Sequence, residues 1–406
     1  MVTKKFSKQL PLIFKKLEHE GIDSKSACIF LKKDSEHFAL ALVGQGQRIM
    51  NPAALEEAYP LIYGIFSKRR DISVIIYSRP KYCLEASLKY SFIPPVLDDM
   101  AQIVGVRAEV CDFEQTERIV KILKKGNACL IRPRSEGEPG AIAVGPSPER
   151  AFAAAIILEK SAQALVESEY LGGANSLSPA IAWIFSKAYA LSYSKKNEEI
   201  ASQTERDILR SIPEEELSLR KALVECGKKM AEENLVQGTW GNISARIDER
   251  YMLVTPSGLA YNRLSVYDIV RVDMHSMKHE GRLKPTTEKR IHARLLSEHS
   301  RFNCIIHSHS VNCSVFAAAR QALPITGAAE RELLGEEAAI AKTRLPGSKG
   351  LVNAVAEAIN SDSCACIMGS HGMLVCGSSI EDALDKCRAM EKAARDQIDR
   401  LAKAAG

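Results

Sequence analysis

The sequence predicts an α/β protein in which one sandwich fold, helices packed on a mostly antiparallel sheet, is present as two tandem copies. Three observations lead there. At 406 residues the chain exceeds what one hydrophobic core usually serves. Its second half alternates short apolar strands with helical stretches, with hairpins among them. And the two halves, slid against each other, match in the same order, a signal to be sought before any fold is assigned.

The matches are local but ordered. At an offset of 230, "DISVIIYSRPKYCLEAS" lies over "RFNCIIHSHSVNCSVFA", pairing Ile75, Ile76, Ser78 and Cys83 with Ile305, Ile306, Ser308 and Cys313, and farther on Pro94 with Pro324. At an offset of 214, "KKDSEHFALALVG" lies over "RIDERYMLVTPSG", pairing Asp34 with Asp248 and Gly44 with Gly258. "NACLI" and "AIAVGPSPERAFAAA" lie over "CACIM" and "GMLVCGSSIEDALDK", with Gly145 over Gly377. The seam falls in the polar stretch around residues 195 to 215, which sets domains at 1–210 and 211–406.

In the second copy Ser211 and Glu214, with Pro213 between them, form a candidate capping box that opens a helix over 213 to 234. Strands follow near 242 to 248 and 251 to 255, the latter ending in the turn "TPSG", and another near 268 to 274. A helix starts after Pro285. Then come the strand "CIIHSHS", helices at about 311 to 321 and 348 to 360, the strands "CACIM" and "MLVC", and a closing helix over 379 to 403.

Composition narrows the function classes. A net charge of +5, spread along the chain without a polybasic block, gives no support to nucleic-acid binding. The charged N-terminus lacks the apolar core of a signal peptide, and no apolar run reaches the length of a membrane span, so a cytoplasmic protein with no membrane partner is expected. The eleven cysteines sit mostly in apolar runs and read as reduced, buried thiols.

The chemistry-bearing residues lie in the second half. Only His19 and His37 precede the seam; the other seven histidines follow it. In "NCIIHSHS", His307 and His309 stand at i and i+2 of a strand and so project to one face. His371, in "MGSHGML", sits beside a glycine that permits a tight turn between two strands, and Glu288, in "KPTTEKRIH", lies at the start of a helix, where the dipole favours a carboxylate. Three neutral imidazoles suit zinc with an open position, the arrangement of catalytic sites, and a labile carboxylate could double as a base. A competing thiolate site would use Cys364 and Cys366, with Cys376. The segments "GTWGNIS", "TPSG" and "KPTTE" supply an amide, hydroxyls, glycine N–H groups and a lysine, the groups that cradle an anion.

In this order "GTWGNIS", "TPSG", "KPTTEKRIH", "IIHSHS" and "GSHG" resemble the class II aldolase/adducin family, over residues 215 to 400. The resemblance implies that family's α/β three-layer sandwich, twice in tandem. It implies zinc, or another divalent transition metal, on His307, His309 and His371, with Glu288 at the metal as acid/base, and substrate phosphate on Asn242, Ser257, Gly258, Thr286 and Thr287. The implied activity is that of a lyase. It would cleave a phosphorylated ketose or a related hydroxycarbonyl sugar phosphate, with zinc stabilising the enediolate and Glu288 exchanging a proton with its carbon. Family epimerases carry aspartate at this position, which favours the lyase. Epimerase, dehydratase and decarboxylase chemistry on the same metal site are the alternatives, and a non-catalytic adducin-like assembly protein is the alternative of another class. Family aldolases also use tyrosines from a neighbouring subunit, whereas the last tyrosine here is Tyr267; Glu330, Glu332 or a first-domain residue is left to act as proton donor. The first copy has Tyr77 and Arg79 in place of two ligands and Val43 in place of the serine of "TPSG", so it is expected to bind no metal. Because family members form fourfold rings, a two-copy chain is expected to close a four-domain pseudo-ring as a homodimer.

Overall fold

A computed structural model describes residues 11, 13–43, 45–133, 140–194, 212–281 and 283–405. The chain divides into two compact units, Met1–Val166 with Ser176–Tyr189, and Glu167–Asn175 with Ala190–Gly406.

The first unit holds an eight-stranded sheet of β1 (Cys28–Lys32), β2 (Phe38–Leu42), β3 (Gly46–Met50), β4 (Val74–Ser78), β5 (Phe92–Ile93), β6 (Ala108–Asp112), β7 (Ala128–Arg132) and β8 (Ala141–Gly145), in the order β3-β2-β1-β4-β8-β7-β6-β5. The second holds β9 (Asn242–Arg246), β10 (Tyr251–Val254), β11 (Val270–Asp273), β12 (His279–Glu280), β13 (Cys304–Ser308), β14 (Leu323–Pro324), β15 (Glu337–Ala341), β16 (Ala365–Met368) and β17 (Gly372–Gly377), in the order β12-β11-β10-β9-β13-β17-β16-β15-β14. Apart from the edge strand β12, the two orders are the same. Both sheets are antiparallel except at one place, β6 with β7 and β15 with β16.

The correspondence reaches single hydrogen bonds. Asp34 caps the β1–β2 hairpin by accepting from the backbone N–H groups of Glu36 and His37, and Asp248 accepts from Arg250 and Tyr251 at the same places between β9 and β10. Glu159 accepts from the N–H groups of Tyr82 and Cys83 at the start of the helix Lys81–Lys89; Glu391 accepts from those of Asn312 and Cys313 at the start of Val311–Ala319. Each pairing satisfies helix N-terminal donors with a charge the dipole favours. Gly145 and Gly377 lie where the last strand meets the following helix, against the backbone of Ala151 and of Ala383. The offsets read from the sequence are thus structural equivalences, and the fold is a class of α/β sandwich present twice.

In the second unit the sheet is covered on both faces. One face packs Met252, Val254, Val270, Val272, Leu374 and Cys376 against the helices Lys289–Glu298 and Lys349–Ala358. The other is covered by Glu214–Glu232, Val311–Ala319 and Ile380–Ala405. All five residues of β13 are consequently buried.

Several expectations need adjusting. The first helix begins at Glu214 with Pro213 at its N-cap and no side-chain cap bond; Ser211 lies outside the described residues, as does Gly44. The strands β12, β14 and β15 and the helix Ala328–Leu334 are additions to the elements expected from the sequence. β15 reads EAAIA, an alanine-rich run with a helical propensity that its pairing with β16 and β14 overrides. Among the described residues no helix is long and apolar enough to cross a membrane.

At Gly377 an added Cβ would stand 2.5 Å from the backbone nitrogen of Ala383. Gly377→Ala and Gly145→Ala are each expected to lower stability by roughly 1–3 kcal/mol, through forced retreat of the following helix. An unchanged urea midpoint in either variant would show that the helix can move away freely.

Candidate metal centre

Strand register assembles the centre. β13 pairs with β9 so that His307 faces Asn242, and with β17 so that His307 faces Leu374. His307 shares the sheet face of Ile305, the face that carries the helix Lys289–Glu298. His309 lies one residue past the end of β13, and His371 immediately precedes β17. The rings of His307 and His371 stack with centroids 4.8 Å apart, and His309 stands edge-on to both. The ligand atoms of all three lie within 4.8 Å of one another and all three residues are buried. Among the described residues this is the grouping of three or more histidine, cysteine or acidic side chains that could hold an ion.

The turn that presents His371 differs from the sequence expectation in its mechanics. The residue in the left-handed region is Ser370 (φ 57°), not a glycine. Its N–H donates to the carbonyl of Ala317 and its hydroxyl accepts from Arg320 Nε at 3.1 Å, contacts that hold an uncommon conformation in place. Gly372 serves another purpose: a Cβ there would run into the carbonyl oxygen of Ser308 on the paired strand.

Glu288 is the N-cap of the helix Lys289–Glu298, buried at 6% exposure. Its Oε1 lies 2.9 Å from His371 Nε2 and its Oε2 3.4 Å from His307 Nε2. Burial alone would raise its pKa. The adjoining imidazoles and the hydrogen bonds from His371 and Asn242 outweigh that and hold the carboxyl well below its ordinary range. Burial pushes His307 down to about 3, so its ring is neutral at pH 7.

The donor set fits a cation. His307 Nδ1 is 2.8 Å from the carbonyl of Met373, which fixes the proton there and leaves Nε2 as a lone-pair donor. That nitrogen is 3.0 Å from His309 Nε2, close to the roughly 3.3 Å between two nitrogens on one tetrahedral zinc. Facing lone pairs repel unless a proton or a positive ion lies between them. The thiolate alternative is not assembled: Cys364, Cys366 and Cys376 are free thiols that join no such grouping among the described residues, and burial pushes Cys366 up to about 12.

The anion-binding candidates come together in part. Pro256 bridges to Pro285, the N–H of Ser257 donates to the carbonyl of Lys284, and that of Thr286 to the carbonyl of Thr255, so "TPSG" and "KPTTE" run side by side. Gly258 (φ 73°) and Thr287 are exposed, Ser257 is half-buried, and Thr286 is buried with its hydroxyl accepting from the N–H of Glu288 at 3.3 Å. Asn242 is engaged elsewhere. Its Nδ2 donates to Glu288 Oε2 at 2.8 Å and its Oδ1 accepts from His292 Nε2, which leaves one N–H for an anion. Glu330 pairs with Lys392 at 2.9 Å, and the corresponding helix of the first copy has Asp99 bound to Lys160, so this pair recurs in the copy that has Tyr77 at the position of His307. Glu332 is exposed.

Sequence reasoning gave no role to His292 or Ser244. His292 is fully buried, with Nδ1 2.6 Å from the Ser244 hydroxyl. The available signals were spacings: Glu288 and His292 at i and i+4 on one helix face, and Asn242 and Ser244 at i and i+2 on one strand face.

The first copy has aromatic and largely apolar side chains at the same positions. By register Tyr77 stands where His307 does and Cys28 where Asn242 does. Phe30, in the place of Ser244, packs edge-on against Tyr59 and Tyr77 at 5.1 and 5.6 Å, and Ile62 takes the place of His292 in the core. Pro139, aligned in sequence with His371, lies outside the described residues.

His307 and His292, both held near 3 by burial, set a pH dependence. Their folded pKa values lie below the unfolded value of about 6.5, so the unfolded chain takes up protons first as pH falls. Stability of the metal-free protein is therefore present above about pH 6.5 and lost progressively below it, by up to about 1.4 kcal/mol per pH unit for each histidine. Glu288, shifted down, adds its loss only below the ordinary carboxylate range. Urea unfolding at pH 7 and pH 5 checks this; equal midpoints would mean that the rings are already charged in the fold.

A family model described as Class II Aldolase and Adducin N-terminal domain matches residues 33–166 and again 221–398. The chain is similar to the L-ribulose-5-phosphate 4-epimerase UlaF of Salmonella paratyphi B, 28% identical over 188 residues that make up 44% of this chain and 82% of the relative; its counterpart in Salmonella typhi matches equally. Among solved structures it is similar to an L-fuculose 1-phosphate aldolase (28% identity, TM-score 0.43, 47% of this chain and 88% of that one) and to the L-fuculose-1-phosphate aldolase of Thermus thermophilus (21%, TM-score 0.41, 47% and 98%). With the two matched segments together spanning well over half of its length, the chain belongs to the class II aldolase and adducin family and carries the family's domain twice.

Proposed function

We propose that the second copy is a divalent-metal-dependent lyase that cleaves a carbon–carbon bond in a phosphorylated ketose or a related hydroxycarbonyl sugar phosphate. The observation that carries this reading is the buried grouping of His307, His309 and His371, with the two carboxylate oxygens of Glu288 reaching ring nitrogens of His371 and His307. These residues would hold zinc or a similar ion. When bound, such an ion supplies Lewis acidity toward a substrate carbonyl and its neighbouring hydroxyl oxygen.

The chain's own residues divide the remaining work. His307 is oriented by the Met373 carbonyl, so its free nitrogen faces the centre without rotation. Glu288, ionised and two residues from Thr286, is suited to take up or return a proton at the reacting carbon. The hydroxyls of Ser257, Thr286 and Thr287 and the backbone of Gly258 would receive the phosphate on the adjoining turns. That spacing would keep the substrate's charged end apart from the reacting bond. The first copy, with an aromatic cluster in place of the donor set, would contribute no second centre.

A second reading is epimerisation, favoured by the similarity to an L-ribulose-5-phosphate 4-epimerase. Glutamate in place of the aspartate of family epimerases favours the lyase. A panel of ketose phosphates assayed for aldehyde release and for inversion separates the two, and product formation by inversion alone would replace the lyase reading.

Elemental analysis of the purified chain is expected to give about one divalent transition-metal ion per chain, and His307→Ala to lose it together with activity. Two ions per chain, or full occupancy in the variant, would overturn the assignment. Glu288→Gln is expected to fold and to lower turnover by roughly 10²–10⁴. Turnover at the native rate would remove Glu288 from the chemistry.

A further inference from the structure

We infer that Ser244 and His292 are positioning residues that act through Asn242: the three form a directional hydrogen-bond relay that fixes which end of the Asn242 amide meets Glu288, and so holds the carboxylate as an acceptor aimed at the histidines. The inference deepens the reading of a metal centre and rests on it for its chemical purpose.

Direction follows from the chemistry of each group. An ionised carboxylate can only accept, so Asn242 must turn its NH₂ toward Glu288 Oε2 and its carbonyl toward His292. His292 Nε2 must then carry a proton. The ring is fully buried and burial keeps it neutral, so Nδ1 is bare and the Ser244 hydroxyl, 2.6 Å away, donates to it. Every proton in the series Ser244, His292, Asn242, Glu288 therefore points toward the carboxylate. The opposite sense would need a reversed amide and a proton on Glu288, a state that a neighbouring cation disfavours.

The duplicated fold separates this role from a structural one. The first copy keeps the devices that the scaffold needs, among them the Asp34 hairpin cap, the Glu159 helix cap and the close approach at Gly145. At the positions of the relay it has Cys28, Phe30 and Ile62, and the sheet forms in the same strand order. The strand order common to both copies does not depend on the relay. The relay is absent where the ligands are absent.

The test uses the full chain labelled with ¹⁵N-histidine. In metal-free protein, long-range ¹H–¹⁵N spectra are expected to show His292 as the Nε2–H tautomer; the Nδ1–H tautomer would overturn the inference whether or not metal binds. Cobalt(II) titration followed by its visible absorption supplies the second arm. His292→Phe is expected to weaken binding roughly 10–100-fold, and His292→Gln, which restores a donor to Asn242, to recover most of the loss. Equal affinity in His292→Phe and the native chain would overturn it, as would a glutamine variant no better than phenylalanine. Should His292→Phe fail to fold, Ser244→Ala leaves the ring in place, and an unchanged tautomer with unchanged cobalt affinity would remove Ser244 from the relay. A native chain that takes up no cobalt while His292 shows the expected tautomer would refute the metal reading and leave the relay standing.

Discussion

Taking the Glu288 carboxylate out of water costs several kcal/mol unless donors and positive charge replace its hydration, and the layout of the second copy follows from that requirement. A helix N-terminus supplies the favourable end of a dipole. Asn242 supplies an amide N–H, and His371 brings a ring nitrogen to the other oxygen. These contacts already hold the carboxyl well below its ordinary range. Removing Asn242 or His371 would leave the buried carboxylate poorly compensated.

The backbone achieves this through register. A shift of β13 by one residue would turn His307 away from the helix that carries Glu288 and bring Ile306 in its place. Register is held on both sides, by β9 and β17, and the close approach at Gly372 permits the second of these pairings to continue to the edge of the centre. The histidines are thus placed by main-chain pairing before any ligand arrives, which is the condition for a preorganised site.

Much of this was legible in the sequence. Strand periodicity put His307 and His309 on one face, and the ordered repeat anticipated equivalences that the two sheets reproduce strand for strand. Where the reading failed, a tertiary effect had overridden a local one. β15 is alanine-rich and becomes a strand because its neighbours pair with it. Ser370, rather than glycine, adopts the left-handed turn because Ala317 and Arg320 hold it there. His292 escaped notice because its significance lies in Ser244 and Asn242, distant in sequence and joined to it only by the fold.

The aromatic cluster of the first copy sets a barrier to exchanging its contents for those of the second. Phe30, Tyr59 and Tyr77 fill space that the second copy gives to polar groups, with Ile62 behind them. Introducing such a centre one residue at a time would bury an imidazole or a carboxylate in a largely apolar cluster without its full set of hydrogen-bond partners. Each partial exchange is penalised until several occur together. The two halves are therefore not interchangeable by single steps: giving the first copy the polar set of the second would take several substitutions made together.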